Sequence, residues 1–198
     1  LLKSYLNQNW ILSSSNNDST ILNIKKISFN NSFQRSNRVY FDSLNPGLFL
    51  NNFYSTESTH DSLLLDIFNS SIRYNIISKK DSIIQNLNIG WDSEILSYKN
   101  KLIDTILTNQ SLSLDYSKSK INNSFRFGGN FYPLGYKKNN YEINFLYESF
   151  ILKDKKFKLS GDLSEFRPVF EINNYQSNHH FWDNKQFNKI LFWNASAE

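Results

Sequence analysis

The sequence contains no cysteine. That removes disulfide frameworks, cysteine zinc sites and thiol nucleophiles together, and it is compatible with an oxidising compartment. Long apolar runs are missing too. No window approaches the ~18 unbroken apolar residues of a spanning helix, so a helical membrane protein is excluded. Alanine is scarce, and no sustained i, i+3, i+4, i+7 apolar pattern is present. Methionine is absent, the chain opens on Leu1, and no basic n-region with an apolar core and small-residue cleavage site precedes the first strand pattern. The expectation is a piece of a longer protein, in which missing targeting signals carry no information. The net charge of +4 over 198 residues is mild. Lysines such as Lys153, Lys155, Lys156 and Lys158 interleave with acids as in a solvated turn, and nucleic-acid binding is not expected from so small a basic excess.

Asparagine, serine, isoleucine, phenylalanine and tyrosine dominate what is there, and they favour strands and turns. The alternation is clearest in the second half. Leu112, Leu114 and Tyr116 alternate with Ser113, Asp115 and Ser117; after a turn near Lys118–Asn123, Phe125, Phe127 and Phe131 alternate with Ser124, Arg126, Gly128 and Asn130. The stretch Tyr132–Asn140 supplies Pro, Gly and Asn for a reversal. Tyr141, Ile143, Phe145 and Tyr147 then alternate with Glu142, Asn144 and Glu148. After the charged turn Leu152–Lys156, Phe157, Leu159, Gly161 and Leu163 alternate with Lys158, Ser160, Asp162 and Ser164. Four consecutive strands with short connections predict an up-and-down antiparallel meander. Earlier, Thr20–Asn31, Leu63–Ile77 and Ser82–Ile95 are strand candidates, while Arg35–Asp61 reads as a large loop or irregular strand ends. Lys99–Thr108 has a helical apolar face in Leu102, Ile103, Ile106 and Leu107; a strand or loop fits it equally.

A water-soluble sheet buries its apolar face in a core, whereas a membrane barrel turns that face to lipid and lines a wet lumen with the other. The strands run about 9–13 residues, near the ~9–11 that cross a bilayer at a tilt, and globular strands peak near 5–6. Charges fall in mid-strand on the polar rows: Asp115, Arg126, Glu142 and Glu148, with Asn144 among them. A water-filled lumen tolerates them where a small dry interior would not. Tyr, Phe and Trp gather toward strand ends, as an interfacial girdle requires. A soluble periplasmic sandwich or ligand-binding barrel produces the same alternation. The fold expected is an all-β transmembrane barrel with about 8–10 strands present, the whole chain forming part of one truncated barrel domain.

The segment RVYFDSLNPGLFLNNFYSTESTHDSLLLDIFNSSIRYNI carries a Y-x-D-S element (Tyr40, Asp42, Ser43), an aromatic pair (Phe53–Tyr54), a T-x-D-S element (Thr59, Asp61, Ser62) and then a strand with Asn69. Further on, Ser177–Phe187 reads SNHHFWDNKQF. In these marks the chain resembles the porin family of outer-membrane barrels from Bacteroidetes-type bacteria. The resemblance implies a bacterial outer-membrane location, contact with the bilayer and lipopolysaccharide, passage of small hydrophilic solutes, and neither cofactor nor catalysis. The lumen-lining residues expected are Asp115, Arg126, Glu142, Asn144 and Glu148. Alternatives are a structural or plugged barrel of the same membrane and the soluble periplasmic domain.

Other candidate chemistry is thin. His179, His180 and Asp183 have metal-ligand residue types, but adjacent strand residues point to opposite faces and the ligand set is incomplete. His60–Asp61 beside abundant serine has the composition of a hydrolytic triad without a nucleophile-elbow motif. Mixed charges on the polar rows read either as a pore lining that screens ions or as a cross-strand ladder that stiffens the sheet.

Overall fold

The computed structural model describes residues 1–16, 21–42, 59–152, 155–170, 174–176, 181–183 and 188–198. The chain runs through β1 (Leu2–Asn16), β2 (Ile21–Asp42), β3 (Thr59–Lys80), β4 (Ile83–Asn100), β5 (Asp104–Lys120), β6 (Asn123–Gly135), β7 (Tyr141–Leu152) and β8 (Lys155–Phe166). After β9 (Asn174–Gln176) and β10 (Phe181–Asp183), which pair only with each other, it ends in β11 (Ile190–Ala197). β1 to β8 and β11 form one 9-stranded antiparallel sheet in that order. The expected meander therefore extends through the whole sheet. It is open, with β1 and β11 as its two edges, and not closed into a ring.

Register converts the alternation into two continuous faces. One row of paired residues runs Trp10, Ile27, Tyr74, Ile89, Leu114, Gly129, Ile143, Leu163, Trp193. The row beside it includes Phe29, Ile72, Trp91, Leu112, Phe131 and Tyr141. Because side chains alternate faces with a period of two, these rows lie on one apolar face. The polar row beside them, Asp115, Gly128, Asn144 and Asp162, belongs to the other face. Nothing covers the apolar face among the described residues: Ile72 is 53% exposed, Leu112 45% and Phe131 45%. Tyr98 is the one buried apolar side chain among them, so a two-layer sandwich core is not formed here.

The polar face is the concave one. A single cleft of ≈ 520 Å³ touches Tyr5 and Asn7 on β1 and Asn130 and Tyr132 on β6. A flat sheet would hold those strands roughly 24 Å apart at ~4.8 Å per strand, so the sheet bends toward this side.

Consecutive strands reverse direction, so their connections fall on two sides. On one side lie Asp81–Ser82 and Ile121–Asn122, with the strand ends that bound 17–20 and 153–154 in sequence; on the other lie Lys101–Ile103 and Tyr136–Asn140, with the strand ends that bound 43–58 and 167–189. Asp81 takes a positive φ of 51° at the first position of its two-residue turn, a conformation Asp tolerates well.

One open reading is resolved and one expectation changes. The stretch Lys99–Thr108 is not helical: Lys101–Ile103 turn, and Asp104 onward pairs with β4, Lys99 opposite Asp104 and Leu96 opposite Leu107. Residues 35–42 are not loop; they extend β2 and pair with Thr59–Asp66. β1 has no clean period of two around Trp10–Leu12, because a bulge between Ile11 and Ser13 shifts its register.

Candidate functional site

The concave face is built from the second parity of each strand, and Arg73 sits near its middle. Its Nη2 donates to Asp92 Oδ1 at 2.8 Å and its Nη1 to Ser113 Oγ at 3.1 Å, with Asp115 Oδ2 3.9 Å from Nη1. Arg73, Gly90 and Ser113 are direct cross-strand partners in one row. A Cβ at Gly90 would overlap Ser113 Oγ and crowd the Arg73 stem at 3.2 Å. The glycine thus leaves the track along which the guanidinium crosses β4. Gly128 does the same between Asp115 and Asn144: a Cβ there would lie 2.7 Å from Asn144 Oδ1 and 3.2 Å from Asp115 Oδ1.

A second cluster joins a loop to the face. Lys137, in the β6–β7 connection, places Nζ 3.0 Å from Glu94 Oε1 and 5.6 Å from the centre of the Tyr132 ring. Its backbone N–H donates to Asn109 Oδ1 at 2.8 Å, and Asn109 Nδ2 donates to Glu94 Oε1 at 2.8 Å. Asn109 is buried and fully engaged, so the loop is pinned by backbone as well as by charge. Arg73 and Lys137 against Asp92 and Glu94 put two cations and two carboxylates on the lining of this cleft, a mixed-sign surface that Asp115 and Arg126 continue into the next one. Partly exposed pairs of this kind contribute about 1 kcal/mol or less each to stability. Their larger effect is on the electrostatic potential along this face.

The five residues expected on the polar side all belong to this face by register. Asp115, Arg126 and Asn144 come together around a small cleft of ≈ 160 Å³ with Asn86 and Gly128. Glu148 stands apart, accepting from Ser124 Oγ at 3.2 Å and paired with Lys156 Nζ at 2.6 Å. Glu142 is exposed on the same face and does not line that cleft. The central cluster of Arg73, Asp92, Glu94, Asn109 and Lys137 was not among the expected residues. Parity in β3 and β4 would have found the first three; Lys137 comes from a connection, where a period of two has no meaning.

The metal and triad candidates lie mostly outside what is described. His179 and His180 are outside the described residues, as are the side chains of His60 and Asp183. Among the described residues no group of three His, Asp or Glu side chains is arranged to hold a metal, and no helix is long and apolar enough to cross a membrane, which says nothing of strands. No protein-family model, curated protein or solved structure matches the chain.

Proposed function

We propose that the chain is part of an outer-membrane β-barrel that passes small hydrophilic solutes along its concave polar face. The observation carrying this reading is the two-faced sheet: an apolar convex side and a charged concave side, with neither a cover on the former nor a packed core between layers among the described residues. Dimensions support it. By parity the convex face of β3 is free of charge between Asp66 and Lys80, and that of β5 between Asp104 and Lys118. At ~3.3 Å per residue that is roughly 46 Å of strand, or roughly 33–38 Å of height at the 35–45° tilt of membrane barrels. On β2 the interval from Lys25 to Arg35 gives roughly 23–27 Å on the same terms. These values bracket an apolar band about 25 Å tall and a hydrocarbon core about 30 Å thick. Arg35 is held at 2.6 Å and 2.7 Å by Asp66, an outward ion pair at the band's edge.

The split between short and long connections matches short periplasmic turns and longer external loops, so the side with Asp81–Ser82 and Ile121–Asn122 faces the periplasm. Single-chain bacterial barrels have even strand numbers, and at least one strand beyond the nine completes the ring between β1 and β11. Small solutes are then sorted by lumen width and by the mixed charges around Arg73, with no covalent step. The likeness of its Y-x-D-S, T-x-D-S and SNHHFWDN elements to the porin family agrees with this reading.

The test is reconstitution of the full-length protein that carries this chain in lipid vesicles with solute-swelling measurements. Swelling should slow as sugar size rises, and the protein should require detergent or lipid to stay monodisperse. A monodisperse chain in plain buffer would sink the proposal. Arg73→Ala removes one of two central cations, and the ratio of cation to anion permeability should rise roughly 30-fold, since a unit charge ~4 Å away in water disfavours a cation and favours an anion by ~1 kcal/mol each. Reversal potentials across a salt gradient read this directly.

A plugged barrel has one observation in its favour. The segment after β8 folds over the concave face, with Tyr136 Oη donating to the Pro168 carbonyl at 3.0 Å and Phe170 edge-on to Tyr98 at 5.2 Å. Steady conductance in planar bilayers excludes it; its absence in correctly inserted protein favours it.

A further inference from the structure

Toward the side bearing the long connections, the concave face stops being polar. Leu63, Leu65 and Ile67 of β3, Leu96 of β4 and Leu107 of β5 wall a cavity of ≈ 530 Å³, with Phe170 from the segment after β8 also lining it. Passage of hydrophilic solutes does not call for such a wall, because a dry apolar surface cannot satisfy their hydroxyls. Three charged side chains stand at its margin: Arg38, Glu94 and Lys137. Glu94 and Lys137 neutralise each other at 3.0 Å. Arg38, opposite Leu63 in register, forms no ion pair among the described residues. The cavity therefore presents an apolar wall with, at its edge, one guanidinium that has no ion-pair partner among the described residues.

We propose that this cavity binds an amphiphilic anion, with its apolar body against Leu65, Leu96, Leu107 and Phe170 and its carboxylate paired with Arg38. The volume falls within the ~300–1,000 Å³ of small-molecule sites. A planar guanidinium is suited to a carboxylate through paired hydrogen bonds. An apolar body of fatty-acid type fills the wall without unpaired polar groups, and a sugar would not. The site needs only the walls of β3–β5 and the segments beside them. It is independent of solute passage, and the two readings fail separately.

The experiment uses the full chain in lipid vesicles with a diazirine-bearing long-chain fatty acid and, in parallel, its methyl ester; crosslinked residues are mapped by mass spectrometry. Labelling of the convex Trp91 and Leu112 from the lipid phase serves as the internal reference. The acid should label Leu96, Leu107 and Phe170, and Arg38→Ala should lower that labelling about tenfold, in the range of a charge-assisted hydrogen bond. Ester labelling should not respond to Arg38→Ala. Leu107→Trp, which fills the cavity, should lower both probes while convex labelling persists. Labelling confined to the convex rows, or cavity labelling equal for acid and ester and indifferent to Arg38→Ala, overturns the proposal. Solute swelling without cavity labelling would leave passage standing and remove this site alone.

Discussion

Replacing Ile143 by Arg should, on the proposed membrane reading, lower the folding stability of the vesicle-embedded protein by about 2–4 kcal/mol, the cost of a cation near the midplane on the lipid face of a barrel. At ~1.4 kcal/mol per decade this is roughly a 30- to 700-fold loss in the folded-to-unfolded ratio. Ile143 lies in the long apolar row between Gly129 and Leu163 and is 40% exposed. Its neighbour Glu142 occupies the opposite, polar face. Glu142→Lys therefore makes a larger change in charge one residue away, and it should alter stability by no more than about 0.5 kcal/mol. Urea titration followed by tryptophan fluorescence compares the two variants in the same lipid. Equal, small effects would mean that the convex face does not meet hydrocarbon.

The second large effect is expected at Gly135. Its φ is +100°, a region that side chains rarely enter, and a Cβ would overlap the Thr108 carbonyl oxygen. That oxygen accepts the Tyr136 N–H at 3.1 Å. Gly135→Ala thus strains the backbone and displaces the bond that turns β6 into the next connection. A cost of about 3 kcal/mol is expected, at the upper end for a residue held in a disfavoured conformation. The displacement should also reach the site: Lys137 follows two residues later and docks on Asn109 and Glu94. Gly135→Ala should therefore shift ion selectivity toward cations, in the direction expected for Lys137→Ala. Wild-type midpoint and selectivity in Gly135→Ala would show that this turn imposes no such constraint.

The strands of the second half were readable because most side chains there follow the period of two against a clear polar or apolar partner. Phe125, Phe127 and Phe131 against Arg126 and Asn130 leave one pairing parity, and register follows once short turns join the strands. β1 was not readable for a physical reason: its Ile11–Ser13 bulge breaks parity. Residues 35–42 were obscured differently. Their sequence, RSNRVYFD, is polar and reads as loop, yet it is strand because β3 offers an unbroken ladder of partners from Asp66 to Thr59. Pairing partners decide strand extent, and a local window does not contain them.

The candidate site divides in the same way. Asp115, Arg126, Glu142, Asn144 and Glu148 could be assigned to one face from alternation alone. That Asp115, Arg126 and Asn144 share a cleft while Glu148 pairs with Lys156 depends on neighbours many residues away. Glycine was the least legible contributor, since Gly90 and Gly128 act through the space they leave between partners on the two adjoining strands.

By itself the sequence determined that the chain forms antiparallel strands with one apolar and one polar side, because a period of two is a local property of side chains on an extended backbone. Only the tertiary structure decided which way the sheet bends, that the charged side is concave, and that Arg73 and Lys137 meet their carboxylates there. Those outcomes depend on register and on a loop folding back, and both are set by contacts between residues distant in the chain.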